Sequence, residues 1–237
     1  MRYSKLISKK EFQTYFQSPA AYIVMVVFLL ITGWFFSSPL FLNNQADMRS
    51  LFGIIPIIYL FFIPAITMGL VAKERSSGTL ELLTTLPVND AEIIHGKFLS
   101  ALGLIAVTML FTLIHLFTII ILGTELDYGP IFTGYLGLLL LGGVYTSVGI
   151  FTSALTENQI VAFIISFLIV FFLFILEYTL MIIPSGVAGF FQYISVGYHL
   201  SNLTRGVIDT RNIIYFLSLI VFFLRLAVVA MESRKWK

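Results

Sequence analysis

The sequence predicts an all-α membrane protein of six transmembrane helices, and three observations predict it. Hydrophobic residues make up 59% of the 237 positions and charged residues only 11%, where soluble domains carry about 25% charge. Mean hydropathy is +0.99. The apolar residues run on without alternation, as in FIISFLIVFFLFIL from Phe163 to Leu176, whereas the strands of a membrane β-barrel would alternate apolar and polar positions. Six runs reach the roughly 20 residues that a helix needs to cross a bilayer: about 20–38, 51–72, 97–122, 131–155, 160–183 and 213–231. They read as a single transmembrane domain over 1–237, with no repeat, linker or low-complexity tract to mark a second. Without cysteine there is no disulfide framework, thiolate metal site or cysteine nucleophile. The excess of 14 Lys+Arg over 12 Asp+Glu is too small to point to nucleic acid.

Ahead of the first span, residues 1–19 show no apolar signal core and no small-residue cleavage site, so no removable signal peptide is expected. Tyr3, Leu6 and Ile7 fall opposite Arg2, Lys5 and Lys9, the pattern of an amphipathic helix on an anionic inner leaflet. Phe12, Tyr15 and Phe16 fall on the other side of the same wheel, so either the helix breaks near Glu11 or its second half packs on protein. The second span holds Pro56 and Pro64, which kink it, either as a hinge or to accommodate a neighbour. After it, residues 74–86 read as a short helix in which Leu80, Leu83 and Leu86 form an apolar strip beside Glu74, Arg75 and Glu81. Gly78 allows a kink there and Pro87 stops the helix. Asn89 then caps the third span's helix, with Glu92 at capping-box spacing.

In the fourth span Gly142, Thr146, Gly149 and Ser153 follow i, i+4, i+7, i+11, a strip of small residues that lets another helix approach closely. The turn TENQ, from Thr156 to Gln159, places Thr156 to N-cap the fifth helix, with Glu157 favouring its positive end. Segment 184–212 carries Phe190, Phe191, Ile194, Tyr198, Leu200 and Leu203, which predicts one or two short helices lying in the interface. Six spans put both termini on one side. Placing them inside leaves Arg2, Lys5, Lys9, Lys10, Lys73, Arg75, Lys97, Arg234, Lys235 and Lys237 in the cytoplasm and Arg49, Arg205 and Arg211 outside, a positive-inside bias. The 74–87 segment is therefore expected in the cytoplasm, where its strip asks for a soluble partner.

These residues carry a resemblance. Glu74-Arg75-Ser76-Ser77-Gly78-Thr79-Leu80-Glu81-Leu82-Leu83-Thr84-Thr85-Leu86-Pro87-Val88, with Gly96-Lys97 after it, resembles the cytoplasmic-loop signature of ABC-2-type permeases, the membrane subunits of ABC transporters. Ser153-Ala154-Leu155-Thr156-Glu157-Asn158-Gln159, Tyr198-His199 and Arg205-Gly206-Val207-Ile208-Asp209 narrow the likeness to gliding-motility-associated permeases. The resemblance implies a coupling helix over 74–87 seated on an ATPase, with Glu74, Arg75, Gly78, Leu80, Glu81, Leu83, Leu86 and Pro87 as its contact and shaping residues. It also implies outer helices dipping into the membrane, a bacterial inner-membrane location, two ATPase subunits, and a second permease copy or paralogue. An outward-facing accessory subunit would fit the same assembly. ATP and Mg would be bound by the partner, since the chain lacks a G-x-x-x-x-G-K-[ST] loop: Gly96-Lys97-Phe98 has neither the earlier glycine nor the Ser/Thr.

Ionisable groups inside spans are costly and mark function by default, and the predicted spans hold His115, Glu177 and Arg225. At about 1.5 Å per residue, His115 and Glu177 share a depth in the outer half, while Arg225 lies near the cytoplasmic end, too far to pair with Glu177 and placed to snorkel or cap a neighbour. Thr112 with His115, and Ser166 with Glu177, fall on helical faces that either line a translocation path and its gate or act as packing between helices. Two functions follow. One is the exporter permease; the other is a self-sufficient carrier or channel that relays protons through His115 and Glu177. An intramembrane enzyme lacks a nucleophile or a second metal ligand at recognisable spacing.

Overall fold

The computed structural model of the chain describes residues 2–43, 47–80, 87–122, 127–179 and 185–233. Within them the fold is all-helical: α1 Arg2–Gln17, α2 Pro19–Asn43, α3 Arg49–Thr67, α4 Ala72–Ser76, α5 Asp90–Ile121, α6 Tyr128–Leu155, α7 Gln159–Thr179, α8 Ser185–Ile194, α9 Val196–Thr204 and α10 Thr210–Glu232. Six are long and apolar enough to cross a membrane, the second of these running from α3 on through α4.

The bundle is organised around α6, whose membrane window is 78% buried against 22% for those of α2, α7 and α10. Glycines on several sides of α6 explain why it can sit in the middle. A Cβ at Gly134 would strike the Phe52 ring of α3, one at Gly137 would meet Leu200 and Leu203 of α9, and one at Gly143 would lie 2.8 Å from Ile220 of α10. At Gly142 it would press on Ile105 of α5, and at Gly149 it would overlap Thr67 and lie 2.7 Å from that residue's own Cβ. Without side chains at these points, four neighbours approach one backbone, which is how membrane helices gain dispersion contact where no hydrophobic drive exists.

Several local expectations change. α1 is unbroken, and its second half packs on protein, with Phe12 against Gly103 of α5; Ile7, in the first half and expected to face the leaflet, packs against Gly96 of the same helix because that glycine lets α1 come close. Tyr3 and Leu6 stay exposed. α3 continues through Pro56 and Pro64, both buried, and ends at Thr67. The short helix expected over 74–86 does not run through: α4 stops at Ser76, and Gly78 takes a left-handed φ of 70° that only glycine adopts without strain. The cap of α7 is Asn158 rather than Thr156. Its Oδ1 accepts from Ile160 N at 2.9 Å, because it stands directly before Gln159, while Thr156 Oγ1, one turn of chain too early, accepts from Asn158 N at 3.1 Å. Asn89 does precede α5, without a side-chain cap bond.

α9 does not lie on the surface of the bundle. Val196, Gly197, His199, Leu200 and Leu203 are buried, and Thr133 on α6 donates to Leu203 O at 2.5 Å. His199 stacks on Tyr215 of α10 at 3.9 Å, with Nδ1 2.7 Å from Asn212 Oδ1 and Nε2 3.0 Å from Tyr193 O. Gly206 then turns the chain at φ 91°, and Asp209 caps α10 through Arg211 N at 2.8 Å. Gly149→Ala is expected to lower stability by about 1–3 kcal/mol through overpacking, whereas Gly53→Ala, where an added Cβ meets nothing, should be neutral or stabilising by up to about 1 kcal/mol. Thermal unfolding of both purified variants in one detergent checks the contrast.

Candidate functional site

At one end of the bundle α5 brings in Lys97, whose side chain has no solvent exposure. Its burial begins with the residue before it. Gly96 lets α1 come so close that an added Cβ would lie 2.8 Å from Ile7 and 3.0 Å from Ser4 O. Lys97 Nζ donates to Glu11 Oε1 of α1 at 2.9 Å and to Glu74 Oε1 of α4 at 2.7 Å. One ammonium thus joins three elements distant in sequence, as a buried charge must be matched where it stands. Two carboxylates share that one ammonium, and Glu74 Oε2 is buried with no hydrogen-bond partner. Beside them a cavity of ≈ 360 Å³ opens between α1, α2, α3 and α5, lined in part by Glu11, Tyr15, Lys73 and Glu74. Burial, with the charge of Glu11 added, pushes the Tyr15 phenol up.

The segment between α3 and α5 is fastened at two further points. Ser153 Oγ of α6 accepts from Val71 N and Ala72 N, each at 3.0 Å, and donates to Met68 O at 2.8 Å. A single hydroxyl therefore satisfies the backbone where α3 gives way to α4. Arg75 donates from Nη1 to Ala154 O at 3.2 Å and pairs through Nε with Glu157 Oε1 at 3.2 Å. The two stretches of sequence around 74–80 and 153–157 are thus one structural unit.

Seen against the expected contact residues, much of the segment is engaged inside the chain. Glu74 is held by Lys97 and Arg75 by α6 and the turn after it. Leu80, expected on a partner-facing strip, is 3% exposed and belongs to a core with Val71, Ile94, Ile150 and Met231, because the left-handed turn at Gly78 redirects the chain inward. Gly78 and Pro87 are exposed. Glu81, Leu83 and Leu86 lie outside the described residues. Of the small strip on α6, Gly142 and Gly149 meet α5 and α3 as described, Thr146 is buried with its hydroxyl unpartnered, and Ser153 is the hydrogen-bonding centre above.

At the opposite end the four residues expected to line a path separate. Thr112 Oγ1 bonds Met109 O at 2.6 Å and Tyr135 OH at 3.0 Å. His115 stacks on Phe36 of α2 at 4.6 Å, its Nε2 buried without a partner. Ser166 is fully buried on α7, also unpartnered. Glu177 lines an open cavity, of ≈ 570 Å³, between α3, α6, α7 and α9. It rests against Gly197, where a Cβ would lie 2.5 Å from its Cδ. Arg225 is exposed on α10. Among the described residues no group of three or more His, Asp and Glu forms a metal centre.

Sequence reasoning read Lys97 as an inside charge and part of a motif and Glu11 as a break point, and passed over their pairing with each other and with Glu74, as well as that of His199 with Asn212. The signal for the first two was there: Glu11 stands beside Phe12 on a face that must meet protein, and Glu74 and Lys97 are opposite charges at adjoining ends of consecutive spans. Lys97→Met should cost about 3–5 kcal/mol by leaving the carboxylates unmatched, and adding Glu11→Gln with Glu74→Gln should restore most of the loss. The midpoint of thermal unfolding reads both.

No curated protein matches the chain. The family model for ABC-2 family transporter proteins matches residues 6–230, from α1 to the last turns of α10, so that the fastened segment and the cavity at Glu177 both fall within it. The chain accordingly belongs to the ABC-2 transporter family, whose members are the membrane components of ABC transporters rather than enzymes themselves and work with ATPase partner subunits.

Proposed function

We infer that the chain is the permease subunit of an ABC exporter, seated through the 74–87 segment, which residues 71–73 lead into, on a cytoplasmic ATPase that binds ATP and Mg. The reading rests most on one observation: that segment is anchored to α5, α6 and α1 through Lys97, Ser153 and Arg75. A displaced loop transmits nothing to the spans unless it is fixed to them, and here each fastening is a charged or doubly bonded contact. Leu83 and Leu86 supply the apolar contact with the ATPase, while Glu74, Arg75 and Leu80 attach the segment to the rest of the chain. Gly78 and Pro87 shape the backbone, and Glu81 borders the contact.

A complete exporter pairs this chain with a second copy or paralogue and two ATPases, in a bacterial inner membrane with both termini in the cytoplasm. An outward-facing subunit is compatible with it. The finer likeness to gliding-motility permeases is supported by the 153–159, 198–199 and 205–209 motifs, which occupy the Ser153 fastening, the His199 stack and the turn capped by Asp209. A proton relay through His115 and Glu177 draws no support from their surroundings, since one stacks on α2 and the other rests on α9.

Two measurements test the assignment. Leu83→Asp with Leu86→Asp should lower co-purification of the ATP-hydrolysing subunit about tenfold or more, as loss of an interface anchor does; unchanged recovery would falsify the contact. A cysteine replacing Ser77, which is exposed, should resist an impermeant thiol reagent added outside intact cells and react after the membrane is opened.

A further inference from the structure

We propose that the cavity bordered by Tyr145, Glu177 and Arg205 binds the headgroup of a zwitterionic phospholipid, its ammonium on Glu177 and its phosphate on Arg205. The cavity's ≈ 570 Å³ falls in the range of small-ligand sites, about 300–1,000 Å³. That is room for a headgroup and glycerol, with the acyl chains leaving between helices.

Its walls divide by chemistry. Phe52, Pro56, Leu141, Phe174 and Leu200 make an apolar floor, and Glu177 and Arg205 stand among the polar lining. Arg49, also in the lining, lies 3.6 Å from Asp47, both well exposed, whereas Arg205 makes no ion pair with a described residue and takes the phosphate. Glu177 and Arg205 interact through space, yet neither makes an ion pair or side-chain hydrogen bond with a described residue. A carboxylate and a guanidinium lining one cavity without an ion pair between them are satisfied together by a zwitterion, which adds no net charge. An independent observation points to the same space: Tyr145 in the cavity wall is fully buried, and its hydroxyl has no partner, a loss that a ligand phosphate or glycerol oxygen would repair. Gly197 is what seats the carboxylate, since a side chain there would displace Glu177. The apolar floor favours a membrane lipid over a soluble zwitterion. None of this depends on coupling to an ATPase.

The test exposes the full chain in detergent to an equimolar mixture of phosphatidylethanolamine and phosphatidylglycerol and counts retained lipid by native mass spectrometry. Phosphatidylethanolamine should be retained about tenfold over phosphatidylglycerol, the worth of one charge-assisted bond. Glu177→Gln should bring the two to parity, and Arg205→Gln should reduce retention of both. Equal retention by the unaltered chain, or an unchanged preference in Glu177→Gln, overturns the proposal. So does displacement of the lipid by glycerophosphoethanolamine at equal concentration, which would make the ligand soluble. Because the unaltered chain's preference is decisive alone, a variant that fails to fold leaves the test standing.

Discussion

A lysine ammonium removed from solvent has to be neutralised on the spot, and at Lys97 that requirement shapes one whole end of the molecule. Leaving such a charge unpaired costs several kcal/mol, so the two carboxylates that meet it are drawn from wherever the chain can deliver them. One comes from α1, before the first span, and the other from α4, at the end of the second. Neither element could wander without exposing the cost. α1 is therefore a structural member of the bundle, pressed onto Gly96 and Gly103. The excess carboxylate, with Glu74 Oε2 unpartnered, leaves the cluster under electrostatic tension that an apolar substitute would not have.

Around α6 the governing fact is the absence of side chains. Each glycine removes a Cβ at a crossing, and the neighbours differ from one glycine to the next. The same helix ends in Ser153 and Ala154, whose hydroxyl and carbonyl receive the 71–75 segment. Close packing along the shaft and hydrogen bonding at the tip make α6 the reference against which the segment is held.

The fold was largely legible because spans announce themselves: a continuous apolar run is read directly, and all six predicted runs coincide with long helices. The boundaries were less so. Placing the third span's start at Lys97, where charge first appears, hid the fact that α5 begins at Asp90 and carries the lysine inside. Periodicity records which residues share a face, but not which neighbour that face meets, so Leu80 read as part of an outward strip when a glycine in the left-handed region turns it inward. His115 and Glu177 share a depth in sequence arithmetic, yet depth says nothing about azimuth, and the two face α2 and α9. Ser153 was recognisable as small and not as a hydrogen-bonding centre, since its partners are three backbone groups more than 80 residues away.

The two ends of the molecule are joined by the same two helices. On α6, Ser153 holds the segment while Tyr145 and Leu141 wall the cavity; eight residues of helix from Ser153 to Tyr145 span about 12 Å. On α3, Met68 just past the C-terminus takes the Ser153 bond while Phe52 and Pro56 wall the same cavity. The stretch of α6 between Tyr145 and Ser153 holds no proline and is stiff along its axis, whereas α3 carries Pro56 and Pro64 between its two contacts and can bend there. Movement of the segment relative to α7 or α9, which bring Glu177 and Arg205 to the cavity's other side, therefore changes the separation of the walls. Gly149 brings α6 into close contact with α3 at Thr67, while α7 meets the segment through Gln159 against Gly69 and, in the turn before it, through the part-exposed ion pair of Glu157 with Arg75. A pair of this kind is worth at most about 1 kcal/mol, less than the buried bonds of Ser153 and Lys97, so α7 is held to the bundle chiefly by packing, with Val170 and Leu173 in the core and Phe167 against Phe61 at 4.8 Å, rather than by polar ties to the segment.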